Sequence, residues 1–131
     1  YSGIKVIAKQ SADFDRATAM KVMENILQAN PEIDGVYAAN DEMALGCLEA
    51  IEAAGRLDKI TLIGCDDIDD TKTAIKAGKV EATIAEPPFY LGKSAVETAL
   101  KSLKGETVEK HLILPSTLIT KANVDTVKTK E

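Results

Sequence analysis

The chain has 131 residues, of which 45% are hydrophobic and 28% are charged. This size and composition predict one soluble globular domain with a substantial hydrophobic core. The formal net charge of -5 at pH 7 comes without a basic stripe, which argues against nucleic-acid binding. No apolar run is long enough to span a bilayer, and no signal-peptide pattern is present.

Strand and helix patterns alternate along the chain. Strands are predicted at residues 4–10, 35–39, 60–65 and 80–85, and helices at 15–29, 41–54, 70–77 and 89–103, followed by two short strands at 112–114 and 117–120. Regular alternation with short loops predicts an α/β fold, an open parallel sheet with helices on both faces.

Apolar stripes on the first two helices predict the core. The first stripe contains Ala19, Val22, Met23, Ile26 and Leu27, and the second contains Ala44, Leu45, Leu48 and Ile51. The two cysteines, Cys47 and Cys65, are too few for a disulfide framework and lack metal-site spacing. We expect two buried free thiols, no bound metal and no cofactor.

A polar or aromatic residue follows each of the four main predicted strands: Phe14, Asn40, Asp66 and Glu86 in turn. Parallel strands place their carboxyl ends at one edge of the sheet, which is where ligands bind in open α/β sheets. An amide offers a donor and an acceptor, carboxylates accept hydroxyl protons, and an aromatic face covers C–H groups. Together the four residues predict a site for a sugar or polyol.

Each of these residues also has a purely structural explanation. Asn40 is a good N-cap for the second helix, and Asp66 could cap the third. Phe14 could pack against the first helix as a hydrophobic staple. Glu86 could be an exposed loop residue.

Enzymatic functions have less support in the sequence. It contains neither a glycine-rich phosphate loop nor a nucleophile elbow. The single histidine, His111, has no catalytic partner in its neighbourhood and is expected at the surface. The acidic pair Asp66-Asp67 resembles a phosphoacceptor or Mg²⁺ site, but the acids and the Lys that a receiver domain needs at other strand ends are missing. We therefore expect a binding protein and not an enzyme.

Residues 36–46 (VYAANDEMALG) resemble the type I periplasmic sugar-binding proteins, especially those that bind ribose. The resemblance extends to residues 12–16 (ADFDR), 63–67 (IGCDD), 82–86 (ATIAE) and 118–124 (LITKANV), and it covers nearly the whole chain in the family's order. The same superfamily includes the effector domains of LacI-type repressors.

The resemblance implies roles for the four strand-end residues. Asn40 and Asp66 would bind sugar hydroxyls, Phe14 would stack on the ring, and Glu86 would occupy a hinge position. Ribose-binding proteins usually carry Gln where Glu86 stands and Gly where Asp67 stands. An ionised acid cannot donate a hydrogen bond, so the expected ligand is a pentose, a related sugar or a polyol.

The resemblance also implies a division of the chain and a set of partners. Residues 1–86 would be the carboxy-terminal sugar-binding lobe, 87–115 a hinge crossing and a helix that packs on a missing amino-terminal lobe, and 116–131 a return segment and tail. The whole protein would serve an ABC transporter permease in the periplasm, or outside the cell on a lipid anchor. The alternative is a repressor's effector domain.

Without the amino-terminal lobe, the apolar stripe of the helix at 89–103 lacks a partner. We expect this helix to fold back onto the domain or to pair with a second copy by dimerisation or segment exchange. Sugar binding by this chain should be weak, because half of the enclosing contacts would be missing.

Overall fold

A computed structural model describes residues 2–86, 88–113 and 115–127. In these ranges the chain forms four helices and four strands: α1 (Arg16–Ala29), β1 (Gly35–Tyr37), α2 (Asp41–Ala53), β2 (Thr61–Cys65), α3 (Asp69–Lys76), β3 (Ala82–Ala85), α4 (Pro88–Leu103) and β4 (Thr117–Thr120). Most of the predicted elements are present, with ends that differ by a few residues.

The strands form one open sheet in the order β1-β2-β3-β4. The first three strands are parallel, and β4 is antiparallel to β3. Thr117 at the start of β4 pairs with Ala85 at the end of β3, so the chain re-enters the sheet at the end where it left and must run backwards. The prediction of an open α/β sheet is confirmed, but its last strand makes it mixed and not wholly parallel.

Residues 4–10 do not form the predicted first strand. Ile4 and Val6 are 72% and 74% exposed, and within the described sheet β1 pairs only with β2. The alternating sequence gives a strand tendency, but a strand also needs a neighbour with which to exchange backbone hydrogen bonds. The predicted strand at 112–114 is also absent at residues 112 and 113, while Leu114 lies outside the described residues.

The core is formed by α1, α2, α3 and the sheet. The predicted stripe of α2 is buried completely, as are Ala19, Met23 and Leu27 of α1, while Val22 and Ile26 are half-buried against the core. The two helices approach closely at Gly46, where an added Cβ would collide with the backbone oxygen of Arg16. A glycine in the middle of α2 is therefore required by helix packing.

Helix α4 buries none of residues 88–103. Its apolar side chains remain largely in solvent, with Phe89 64%, Val96 61% and Leu103 85% exposed. The prediction that this helix folds back onto the domain is therefore wrong for this structure. The reason is geometric, because the sheet continues from β3 directly to β4 and the core is closed by α1–α3 without it.

Candidate functional site

Three of the four predicted site residues lie at the carboxyl ends of adjacent parallel strands. Asn40 follows β1, Asp66 follows β2 and Glu86 follows β3. The ladder continues beyond the strands, since the Ala38 backbone N–H donates to Ile63 at 2.9 Å and the Asp66 N–H donates to Ile84 at 2.9 Å. The sheet therefore brings these three positions to one edge.

Asn40 caps α2 through one end of its side chain. Its Oδ1 accepts a hydrogen bond from the Met43 backbone N–H at 2.9 Å. Its Nδ2 donates to no partner within residues 2–86, 88–113 and 115–127, and the residue is only half-buried. The structural and the functional explanation of Asn40 are thus compatible, because capping uses the oxygen and leaves the amide N–H groups for a ligand.

Asp66 lies in a strained loop and does not cap the next helix. The N-cap of α3 is Ile68, which makes no side-chain capping bond. Asp66 and Asp67 have positive φ values of 127° and 69°, where side chains other than glycine are disfavoured. Strain of this kind is often retained at binding sites, and here it presents the exposed Asp66 at the strand end.

The Asp66 carboxyl group has a raised pKa, and its causes include neighbouring negative charges. Partial burial raises the pKa of Asp66, the negative charges of Asp41 and Glu86 add to the shift, and the Asp41 backbone N–H opposes it. Burial also raises the pKa of Cys65, with further contributions from Glu86 and Asp66. Glu86 is exposed, and its negative charge makes this edge acidic.

Phe14 lies in the loop directly before α1, because the predicted first strand is absent. Its side chain is 68% exposed and its φ is 57°, so it is not a staple against α1. Arg16 links this loop to the strand-end helices, because its Nε donates to Glu42 at 2.8 Å and a terminal guanidinium nitrogen donates to Asp70 at 3.2 Å. The beginnings of α1, α2 and α3 are therefore joined at one edge.

Two residues that organise this edge were missed from the sequence, namely Arg16 and Asp41. Both lie inside the motifs at 12–16 and 36–46, directly beside or near a predicted site residue. Asp41 is fully buried and accepts hydrogen bonds from Thr83 Oγ1 at 2.7 Å and from the Ile68 backbone N–H at 3.0 Å. An acidic residue at a helix N-terminus is already explained by its favourable interaction with the helix dipole. The sequence therefore offered no reason to expect that Asp41 makes long-range contacts.

The described residues give no sign of a metal site or a membrane span. They contain no group of three or more His, Cys, Asp or Glu side chains placed to hold a metal ion. No helix among them is long and apolar enough to cross a membrane. Cys47 and Cys65 are free and buried, as predicted, and His111 lies at the surface.

A family model for the periplasmic binding protein domain matches residues 1–107. The chain belongs to this family. Its α/β lobe agrees with that membership, and the predicted resemblance to the sugar-binding members is confirmed.

The chain is similar to several sugar-binding relatives. It is 47% identical to the ribose import binding protein of Bacillus subtilis over 117 residues, and this match covers 89% of this chain and 38% of the relative. A solute binding protein from Actinobacillus succinogenes with bound D-allose has a TM-score of 0.86 at 35% identity, covering 97% of this chain and 44% of that one. One from Bacillus halodurans with bound myo-inositol has a TM-score of 0.83 at 39% identity, covering 95% and 43%.

These relatives bear on the class of function. They are sugar-binding transport proteins and not enzymes, which agrees with the expectation of a binding protein. They give no support to the repressor alternative. The chain spans between 38% and 44% of the length of these relatives.

Proposed function

We propose that this chain is the carboxy-terminal lobe of the solute-binding component of an ABC import system for a sugar or polyol. The observation that carries the proposal is the convergence of Asn40, Asp66 and Glu86 at the carboxyl ends of three adjacent parallel strands. Phe14, exposed near the start of α1, is the fourth ligand residue in this proposal.

The chemistry of these side chains suits a ring that carries several hydroxyl groups. The Asn40 amide donates to a ligand oxygen, and the Asp66 carboxylate accepts from one or two hydroxyl groups. The face of Phe14 covers the apolar C–H groups of the ring. Nothing in this set resembles a nucleophile beside a base, so the proposed role is binding without chemistry.

Glu86 narrows the class of ligand. An ionised carboxylate accepts hydrogen bonds and repels anions, and Glu86 stands beside a second acid, Asp66. The proposed ligand is therefore a neutral pentose, a related sugar or a polyol, and an amino-sugar would be accepted more readily than a sugar acid. The relatives with bound D-allose and myo-inositol support this range.

The proposed division of the chain, its partner and its location follow from the same family. Residues 1–86 are proposed as the ligand-binding lobe, 87–115 as a hinge crossing and the helix that meets an amino-terminal lobe, and 116–131 as a return segment. Closure of two lobes around the ligand would be the signal that a permease reads. The proposed location is the periplasm, or the outer face of the cell on a lipid anchor.

Helix α4 offers a separate test of the division at residue 87. Its exposed apolar side chains include Phe89, Val96 and Leu100, and such surfaces are seldom left in water. In the absence of an amino-terminal lobe, we propose that two copies of the chain pair through this helix or exchange the segment after Glu86. Light scattering that shows only monomer over a wide concentration range would count against it.

A thermal-shift screen tests the binding proposal directly. The panel contains D-ribose, D-allose, myo-inositol, an amino-cyclitol and, as the acidic control, D-gluconate. At least one neutral or amino ligand should raise the melting temperature at millimolar concentration, D-gluconate should not, and D66A should abolish the response. A panel without any response, or a response that survives D66A unchanged, would contradict the proposal.

A further inference from the structure

Asp41 is a fully buried acid that joins three separate parts of the chain. It is the first residue of α2, and its side chain is 0% exposed. Its Oδ1 accepts from Thr83 Oγ1 in β3 at 2.7 Å, and its Oδ2 accepts from the Ile68 backbone N–H in the loop before α3 at 3.0 Å. One carboxylate therefore connects α2, β3 and the β2–α3 loop.

Each of these three attachment points lies next to a proposed ligand residue. Asn40 precedes Asp41 directly, Ile68 lies two positions after Asp66, and Thr83 lies three positions before Glu86. Thr83 is itself 0% exposed, so water does not compete for its hydroxyl group. The Asp41 carboxylate therefore connects the segments that carry all three proposed ligand residues.

The local structure does not need Asp41 for helix formation. Asn40 already supplies the capping bond of α2, and Glu42 supplies a second acid in the first turn. Burying a carboxylate is costly unless its oxygens are hydrogen-bonded. No ion pair of Asp41 is present within the described residues, and the two hydrogen bonds are its visible compensation. This arrangement is more than a helix cap requires.

We propose that Asp41 is a positioning residue, which sets the spacing of Asn40, Asp66 and Glu86 so that one ligand can contact all three. This inference rests on the proposed sugar-binding function but concerns a residue that touches no ligand. Asp41 acts through two hydrogen bonds, one from the Thr83 hydroxyl group and one from the Ile68 backbone N–H.

The substitutions separate geometry from charge. D41A removes both bonds, whereas T83V removes only the bond to β3. D41N can retain both, because its amide oxygen can accept from Ile68 while its N–H group donates to a rotated Thr83 hydroxyl. T83S retains the hydroxyl group, and I75A, at a fully buried position in α3, is the control for lost stability alone.

Sugar affinity is the first measurement, made by NMR titration with D-ribose and myo-inositol at a temperature where every variant is folded. D41A and T83V should each raise Kd on the order of tenfold, whereas D41N and T83S should stay close to the unsubstituted chain. I75A should lower stability without changing Kd. Binding by D41A or T83V that equals the unsubstituted chain, or an equal loss in I75A, would overturn the proposal.

A second measurement on the unliganded chain separates this inference from the binding proposal. In ¹⁵N spectra, D41A should shift the backbone amides of Asp66 and Glu86, and T83V should shift the Asn40 side-chain amide and the Asp66 backbone amide. If the unsubstituted chain binds neither of these two sugars, these shifts alone decide the role of Asp41, and the wider ligand panel decides the proposed function. Shifts confined to residues next to the substituted position would overturn it. Should D41A fail to fold, T83V and T83S provide the same comparison.

Discussion

Gly64 in β2 lies directly against the carboxylate of Asp41 in α2. A Cβ added to Gly64 would collide with Asp41 Oδ1 and would lie 3.1 Å from the Cβ of Ala44. The buried acid can therefore reach Thr83 and Ile68 only because this strand position has no side chain.

Replacing Gly64 by alanine should destabilise the fold by about 1–3 kcal/mol, the usual cost of overpacking a core. The free energy of unfolding in urea measures this change. G35A is the matched control, because a Cβ at Gly35 would meet the Thr61 backbone oxygen at an ordinary 3.5 Å. Equal unfolding free energies for G64A and G35A would show that a side chain at position 64 does not collide with Asp41.

Asp66 should make stability depend on pH in the acid range. Because burial, aided by Asp41 and Glu86, raises its pKa in the folded chain, the folded state holds this proton to higher pH than the unfolded state does. Ionisation of Asp66 then opposes folding. The penalty is absent below the unfolded pKa and complete above the folded one.

The D66N variant removes this penalty. Its stability relative to the unsubstituted chain should increase as the pH rises from below the ordinary pKa of an aspartate and should level off once Asp66 is ionised in the folded chain. Urea unfolding at a series of pH values gives the curve. E86Q should reproduce a smaller part of the same effect, since Glu86 contributes to the raised pKa of Asp66. Parallel curves for D66N and the unsubstituted chain would contradict the assignment.

The Cys47 thiol should be almost inert in the folded chain. Burial raises the pKa of Cys47 to about 11, so about one thiol in a thousand is ionised at pH 8. In a C65S variant, alkylation by iodoacetamide should be slow in buffer and fast in denaturing urea. Similar rates in the two conditions would mean that α2 opens far more readily than its burial implies.

The Arg16 ion pairs should contribute little to stability. Their side chains are partly exposed, and such pairs are worth about 0–1 kcal/mol. R16Q should therefore lower the free energy of unfolding by less than about 1 kcal/mol at low salt, and by less still at high salt. K93Q, which removes the weaker Lys93–Glu97 pair at 3.9 Å on α4, is the control and should have no measurable effect. A large loss that is insensitive to salt would assign Arg16 a structural role that its exposure does not suggest.

Local sequence patterns predicted most of the fold because the elements concerned carry their own signals. Asn30-Pro31 ends α1, and Gly55 and Gly78 follow α2 and α3 with φ values of 64° and 74°. The failure at residues 4–10 has the opposite cause, since a strand depends on a neighbour that the segment itself cannot specify. The direction of β4 likewise depends on where α4 and residues 104–116 return the chain.

The candidate site shows the same limit. Parallel topology predicted that Asn40, Asp66 and Glu86 would share an edge, because strand order and strand direction suffice for that inference. The roles of Arg16 and Asp41 depend on partners 26 to 54 positions away. A pattern within one helix cannot indicate contacts at that separation.

The most direct test of the proposed function uses two substitutions of Asn40. N40D keeps an oxygen that can cap α2 but removes the amide donor, whereas N40A removes both. The free energy of unfolding of N40D should be close to that of the unsubstituted chain, whereas that of N40A should be lower by about 1 kcal/mol. In NMR titrations with D-ribose and myo-inositol, the unsubstituted chain should show shifts at Asn40, Asp66 and Glu86 with at least one sugar, and both variants should lose them. A stable N40D that binds that sugar as tightly as the unsubstituted chain would contradict the proposal that Asn40 binds the ligand.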